Sequence, residues 1–220
     1  MMKRTPEPEL MDAPEQARAY AEADFSEPNR LFVNLFRELV ENTEAGQLID
    51  LGCGPGDICI RLARVLPDWR LVGLDAGPNM LSLAQTAVKN AELQSRIDLV
   101  LARLPDELPG KRFDAVISNS LLHHLPEPMV LWESVRTLAG PGCLVQVMDL
   151  HRPDTPKEVD AIVDAHAADA PEVLRNDFRN SLHAAYTCSE IQAQIDDAGL
   201  SGLTLSRPSD RHWMLQGKLG

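Results

Sequence analysis

The sequence is poor in cysteine motifs and in basic residues, and each shortage disfavours a class of protein. Its four cysteines, at positions 53, 59, 143 and 188, form no C-x-x-C pair and have no histidines at zinc-finger spacing. Neither a disulfide framework nor a zinc module is therefore predicted. Lys and Arg number 21 against 33 Asp and Glu, which gives a net charge of −12. Such a surface repels phosphate backbones, so we expect no nucleic-acid partner.

Long apolar runs are also missing. No stretch approaches the roughly 18 apolar residues of a membrane-spanning helix, and residues 1–12 contain no apolar signal segment. We therefore expect a cytoplasmic protein without a membrane partner. The 220 residues are 44% hydrophobic and 25% charged, values typical of a globular chain of this length with one core.

The N-terminal part of the chain divides into two sections. Residues 1–14 contain three prolines and mixed charges, which predict a flexible leader. Residues 15–220 are expected to form a single domain. Within it, apolar positions at helical spacing predict N-terminal helices over 15–44.

From residue 47 onward, short apolar runs alternate with helical patterns. The runs that predict strands are 47–51, 70–75, 97–101, 113–118 and 143–150. Alternation of this kind specifies an α/β fold with a parallel sheet covered by helices on both faces. Residues 152–186 lack strand signals and predict a helical cap insertion, while 203–206 and 212–217 predict a closing hairpin.

A glycine cluster, Gly52-Cys53-Gly54-Pro55-Gly56, lies between the first predicted strand and the following helix. Glycines there let the backbone approach a nucleotide-like ligand closely, and Asp75 at the end of the next strand is placed to accept hydrogen bonds from ribose hydroxyls. The dinucleotide pattern G-x-G-x-x-G is not met, because the third glycine comes one residue early and Asp57 opposes a phosphate. No G-K-[ST] follows, which disfavours a P-loop.

Several motifs in order resemble the class I S-adenosylmethionine-dependent methyltransferases, in particular the group with quinone-biosynthesis and other small-molecule enzymes. The segments that carry the resemblance are 48–56, 73–75, 113–118 and 138–142. It implies a Rossmann-like, seven-stranded, mostly parallel sheet whose last strand is reversed. It also implies S-adenosyl-L-methionine as cofactor and methyl transfer to a small-molecule acceptor by in-line displacement.

The resemblance also implies a set of cofactor-binding residues. By this resemblance, Asp75 would hold the ribose diol and Met80 would lie against the adenine. Asn119 would line the methionine part, and Tyr20 would cover the sulfonium side. The full set is Tyr20, Asp50, Gly52, Cys53, Gly54, Gly56, Asp75, Ala76, Met80, Ala102, Arg103, Leu104 and Asn119. One position departs from the family, since relatives commonly place an Asp or Asn acceptor where this chain has Arg103. Arginine offers no acceptor, so a main-chain amide nearby is the expected adenine contact.

The acceptor side is marked by polar residues after the fourth and fifth strands and in the insertion. His124 is the candidate catalytic residue, because an imidazole near neutral pKa can take a proton from a nucleophile. Packing or support of the cofactor loop is nevertheless the favoured explanation of a histidine at this position. The candidate substrate contacts are Asp149, Arg152, Arg179 and His183. His212 in the last hairpin is a weaker ligand candidate. The fourth strand ends without a carboxylate, so no metal is predicted.

Two other functions stay open at this point. One is an NAD(P)-dependent oxidoreductase, which the glycine spacing and Asp57 disfavour. The other is a non-catalytic S-adenosylmethionine-binding protein that regulates a partner. Helices over 15–40 and 152–186 offer faces for a substrate or for a second subunit, which makes a homodimer possible. Nothing in the sequence distinguishes carbon, nitrogen, oxygen or sulfur as the methylated atom.

Overall fold

The computed structural model of the chain describes residues 2–7, 12–41 and 43–220. Its strands are β1 (Gly46–Leu51), β2 (Trp69–Asp75), β3 (Ile97–Leu101), β4 (Phe113–Asn119), β5 (Ala139–Leu150), β6 (Leu203–Ser206) and β7 (His212–Lys218). They form one sheet in the order β3-β2-β1-β4-β5-β7-β6. Neighbours among β1 to β5 pair in parallel, while β7 runs antiparallel to β5 and β6. The predicted seven-stranded sheet with a reversed last strand is confirmed.

Eight helices flank this sheet within the described part of the chain. They are α1 (Pro14–Glu22), α2 (Ser26–Leu39), α3 (Asp57–Val65), α4 (Pro78–Asn90), α5 (Met129–Leu138), α6 (Pro156–His166), α7 (Glu172–Ala184) and α8 (Cys188–Ala198). Helix α1 begins at Pro14, one residue before the predicted 15–44 region, and α2 lies within that region. Helices α6 and α7 lie within the predicted insertion. Strand β5 begins four residues before the predicted run at 143, because Ala139 already pairs with Phe113 across an irregular register.

Both faces of the sheet are buried, as alternate side chains of one strand show. Leu48 packs with α2 residues on one face, whereas Ile49 packs with α5 and α8 residues on the other. Trp69, Trp132 and Trp213 are fully buried, which confirms their interpretation as packing residues. Across the described ranges, no helix has the length and apolar character needed to cross a membrane.

The strand order places a crevice beside β1. The chain passes from β1 to β2 and β3 on one side, then returns to β4 on the other side of β1. In open α/β sheets, ligands bind outside the carboxyl ends of the strands at such a switch point. The loop after β1, Asp75 at the end of β2 and Asn119 at the end of β4 all meet there.

Candidate active site

A cavity of about 750 Å³ opens at the carboxyl ends of β1, β2 and β4. The predicted cofactor residues that line it are Tyr20, Asp50, Gly52, Cys53, Gly54, Asp75, Ala76, Met80, Ala102, Arg103, Leu104 and Asn119. Gly56 lies outside this lining. It precedes α3 with φ +85°, and a Cβ there would come within 3.3 Å of the Ala84 Cβ, so this glycine serves the close approach of α3 and α4.

The two other glycines of the loop differ in what surrounds them. A Cβ on Gly52, whose φ is +73°, would lie 2.8 Å from the Leu121 Cδ1, so Gly52 permits packing behind the loop. A Cβ on Gly54, at φ +51°, would meet no described atom within 4 Å. Gly54 therefore keeps space open in the cavity that it lines.

Asp75 fixes the glycine loop from the neighbouring strand. Its Oδ2 accepts a hydrogen bond from the Gly54 N–H at 2.8 Å, and its Oδ1 accepts one from the Gly77 N–H at 2.7 Å. An ionised carboxylate has about four lone-pair sites, so roughly two remain for a ligand. Burial raises the pKa of Asp75, although the two backbone hydrogen bonds act to lower it. The side chain thus holds the loop and can still accept from a diol.

Two further oxygen acceptors lie among the lining residues without a partner. Asp50 is 1% exposed, and its Oδ2 accepts from the Cys59 thiol at 3.4 Å, but its Oδ1 has no hydrogen-bond partner in the described ranges. The Asn119 Oδ1 likewise has none there. Burial raises the pKa of Asp50 to about 7, and Asp75 adds to the effect. Buried acceptors left unpaired are costly, so this wall suits a ligand with N–H donors.

At the opposite end of the cavity, the main-chain amides after β3 are already engaged. The Arg103 N–H donates to the Glu107 Oε2 at 2.8 Å, and the Ala102 N–H donates to the Asp75 carbonyl at 3.0 Å. The amides of Ala102 and Arg103 are therefore not available as the adenine contact that we expected. Glu107 was not identified from the sequence, because no local pattern marks a carboxylate that accepts a hydrogen bond from a backbone N–H of its own loop.

The predicted acceptor-side residues separate into two groups. His124 lines the cavity from a 3-10 turn, Leu122–His124. The Asp149, Arg152, Arg179 and His183 side chains are absent from the lining. Arg152 is buried and donates to the Met2 and Ala185 carbonyls and to Glu190, while Arg179 pairs with Asp160 at the surface. A substrate role for these four residues stays a prediction.

Asp149 and His123 form a buried ion pair behind the cavity wall. The two side chains are 2% and 3% exposed, and the His123 Nδ1 lies 2.5 Å from the Asp149 Oδ1. Burial by itself lowers the pKa of His123, but the carboxylates of Asp149 and Glu7 outweigh it and raise that pKa. Burial acts to raise the pKa of Asp149, but the charge of His123 outweighs burial and lowers that pKa. Asp149 therefore holds the turn that carries His124.

The segment predicted as a flexible leader contributes contacts that the sequence did not reveal. Arg4 donates to the Ala184 carbonyl at 2.6 Å and to the His123 carbonyl at 3.0 Å. Glu7 accepts from the Ser181 hydroxyl at 3.0 Å and lies 3.2 Å from the His124 Nδ1. Residues 2–7 thus lie between the insertion and the turn beside the cavity.

His212 has a structural environment in β7, outside the cavity lining. It is 5% exposed, and its Nδ1 lies 2.8 Å from the Ser209 hydroxyl. Burial, followed by the charge of Arg211, lowers the pKa of His212 to about 4. The fold therefore holds this imidazole neutral.

We expect His212 to make the protein less stable in mild acid. Its stabilising contribution is complete above the unfolded pKa of about 6.5 and is lost as the pH falls towards 4, a total of about 3 kcal/mol. Urea unfolding at pH 7.5 and pH 5 should therefore show a smaller loss of stability in His212→Asn than in the wild type. His166→Asn, which changes a partly exposed histidine, serves as control. An equal loss in His212→Asn and wild type would contradict the assignment.

Comparison with known proteins agrees with this geometry. Residues 49–145 match the family model described as a methyltransferase domain. An uncharacterized methyltransferase of Mycobacterium bovis is 36% identical over 107 residues, which are 48% of this chain and 51% of that protein. A trans-aconitate 2-methyltransferase of Methylobacterium radiotolerans is 32% identical over 99 residues, 45% of this chain and 36% of that protein. The matched region thus spans about half or less of these relatives.

Solved structures match the fold over nearly the whole chain. The plantazolicin methyltransferase BpumL, in complex with a triazolic desmethylPZN analog and SAH, has a TM-score of 0.73 at 13% identity, covering 93% of this chain and 91% of that one. A putative S-adenosyl-L-methionine-dependent methyltransferase of Methanococcus maripaludis has a TM-score of 0.71 at 18% identity, covering 100% and 98%. The fold is that of a Rossmann-like methyltransferase. Over residues 49–145 this chain is similar to methyltransferase domains, in agreement with the resemblance of its motifs to the class I S-adenosylmethionine-dependent methyltransferases.

Proposed function

We propose that the chain transfers a methyl group from S-adenosylmethionine to a small-molecule acceptor. The observation that carries the proposal is the cavity at the switch point, whose lining includes Asp75 with spare acceptor capacity and the unpaired oxygens of Asp50 and Asn119. When bound, the cofactor supplies a methyl group on a positively charged sulfur. A nucleophile can attack the methyl carbon in line with the carbon–sulfur bond, and the sulfur then leaves with the bonding electrons.

The lining residues fit this cofactor by their chemistry. Asp75 would accept from the ribose hydroxyls, while the free oxygens of Asp50 and Asn119 would accept from the ammonium of the amino-acid end. Met80, which is 6% exposed, would offer an apolar surface to the adenine ring. These residues bind and orient, and such alignment of the reactants can supply on the order of 7 to 11 kcal/mol of a reaction barrier.

Two aromatic side chains line the cavity beside each other. The Tyr20 and Phe25 rings have centroids 4.7 Å apart, and both residues line the cavity. Burial, with the nearby charges of Asp149, Asp75 and Asp57, raises the pKa of Tyr20 to about 12. Tyr20 therefore stays a neutral phenol that excludes water and can donate a hydrogen bond, as expected for a residue over the sulfonium side. His124 is the imidazole on this wall that can take a proton from the acceptor.

The charge of the lining favours a neutral or cationic acceptor. Its charged members are the acidic Glu22, Asp24, Asp50, Asp57 and Asp75 and the basic Arg61 and Arg103. Arg61 is already paired with Asp57 at 2.5 Å. Such a wall attracts the cationic cofactor and repels an anionic acceptor. An anionic acceptor, such as the trans-aconitate named for one of its relatives, therefore does not suit this lining.

Isothermal titration with S-adenosylmethionine, S-adenosylhomocysteine and NADH tests the cofactor. We expect binding of the first two and none of NADH. Binding of NADH alone would instead support the oxidoreductase alternative. Release of S-adenosylhomocysteine should then be followed across neutral, cationic and anionic acceptors, with turnover confined to the first two classes. Cofactor binding without turnover on any acceptor would favour the regulatory alternative.

The predictions of the protein's location and partners come from the sequence alone. A cytoplasmic location and the exclusion of nucleic acid and membrane partners stay predictions from composition and charge. A homodimer, formed through the helices of 15–40 or 152–186, also stays a prediction. Size-exclusion chromatography of the purified chain tests it.

A further inference from the structure

Three metal-ligating side chains meet beside the cavity, and one of them, His124, also lines it. One ligand atom each from Glu7, His123 and His124 lies within 4.8 Å of the other two. The three side chains are 9%, 3% and 13% exposed. They come from two distant parts of the chain, the N-terminal segment and the turn after β4. The cluster is therefore a product of tertiary folding, shielded from bulk solvent.

The distances within the cluster suit a shared ion. The Glu7 Oε1 lies 3.5 Å from the His123 Nε2 and 3.2 Å from the His124 Nδ1. In a tetrahedral zinc site with bonds of about 2.0 to 2.1 Å, ligand atoms lie roughly 3.4 Å apart. The first distance is longer than an ordinary N–H···O hydrogen bond, which spans about 2.7 to 3.2 Å. The Glu7 oxygen is thus spaced from both imidazole nitrogens like neighbouring ligands of one ion.

Further contacts orient two of the three ligands. The Asp149 Oδ1 lies 2.5 Å from the His123 Nδ1, and a proton on that nitrogen leaves the Nε2 lone pair directed towards Glu7. The Ser181 hydroxyl donates to the Glu7 Oε1 at 3.0 Å. A carboxylate behind a histidine is the usual outer-shell partner of a metal-binding imidazole. Together, Glu7 and Asp149 also supply two negative charges for a divalent ion.

We propose that Glu7, His123 and His124 bind one zinc ion through Oε1, Nε2 and Nδ1. Two imidazoles and one carboxylate form a zinc donor set, whereas calcium and magnesium prefer oxygen ligands. Three protein ligands leave a fourth position open, and His124 lines the cavity, which provides an entry path. The expectation of no metal rested on the end of β4 and could not include Glu7. Zinc binding at this site can be measured without the proposed methyl transfer, but it gives His124 a different role from the one proposed above.

Zinc at this point has two consequences for the molecule. It ties residues 2–7 to the turn after β4, in addition to the hydrogen bond from Arg4 to the His123 carbonyl. It also changes the role of His124, because coordination through Nδ1 leaves the ring proton on Nε2. A zinc-bound His124 therefore holds the metal and does not take a proton from the acceptor.

The test is a competition titration of the chelator-stripped, full-length protein with zinc chloride against a chromophoric zinc chelator. We expect one equivalent of zinc to bind. Glu7→Gln and His124→Gln should each weaken binding by at least about tenfold, a loss that even outer-shell substitutions produce. His166→Gln should leave it unchanged, because His166 also lies against a carboxylate, Asp210 at 2.7 Å, but outside the cluster. Circular dichroism checks that each variant is folded.

Cobalt spectroscopy of the wild type adds a readout that needs no variant. With cobalt chloride, we expect visible bands of a nitrogen and oxygen environment without the thiolate charge-transfer band that binding at one of the four cysteines would give. Failure of the wild type to compete with the chelator would overturn the proposal. So would a thiolate band, or zinc affinity retained in both folded cluster variants, which would show an adventitious ion only.

Discussion

Asp75→Ala is expected to weaken binding of S-adenosylhomocysteine by about two to four orders of magnitude. Each hydrogen bond to a charged group contributes roughly 1.5 to 3 kcal/mol, and two bonds to the ribose diol would be lost, at about 1.4 kcal/mol for each factor of ten. The substitution also removes the acceptor of the Gly54 and Gly77 N–H groups. The loop that shapes the cavity would therefore lose its anchor together with its ligand contact.

Asp114→Ala is the matched control for this variant. The Asp114 Oδ2 also accepts a backbone hydrogen bond, from the Gln47 N–H at 2.8 Å, but at the amino-terminal end of β4. It removes a carboxylate that binds backbone without touching the cavity, so S-adenosylhomocysteine affinity should not change. Calorimetric titration measures the affinity of both variants, and urea unfolding checks their folding. Wild-type affinity in a folded Asp75→Ala protein would contradict the placement of the cofactor.

Gly54→Leu is expected to abolish cofactor binding while the chain still folds. A side chain at this position would extend from a site where no described atom lies within 4 Å, into the space proposed for the cofactor. The folding cost comes from the left-handed backbone, at φ +51°, and is about 1 to 2 kcal/mol. Titration with S-adenosylhomocysteine should show no binding, and urea unfolding should show only this modest loss of stability.

Gly199→Leu separates backbone strain from cavity filling. Gly199 ends α8 at φ +65°, and its Cβ position also has no described atom within 4 Å, but it lies away from the cavity. This variant should lose a similar amount of stability and keep wild-type affinity. Equal affinities in the two variants would show that the space beside Gly54 is not used by the cofactor.

Local patterns in the sequence were sufficient for the fold and for most of the cavity. Hydrophobic periodicity depends only on residues close together in the sequence, so it predicted the alternation of strands and helices directly. The glycine loop and Asp75 follow strands β1 and β2, and parallel strands bring their carboxyl ends to one edge of the sheet. Residue order therefore determined that these groups meet. Gly56 was the exception, because it does not line the cavity. It allows α3 to approach α4 at Ala84, and no local sequence pattern marks that contact.

Tertiary structure alone decided what lies behind the cavity wall. Glu7 meets Ser181 from 174 positions away, and Arg4 meets the His123 carbonyl from 119 positions away. No periodicity or spacing encodes such pairs, because they depend on how the insertion and the N-terminal segment pack against the turn after β4. Packing likewise made Asp149 the buried partner of His123, a contact that no sequence pattern predicted. The sequence by itself determined the fold and the glycine loop at its switch point, whereas long-range packing determined the Glu7, His123 and His124 cluster.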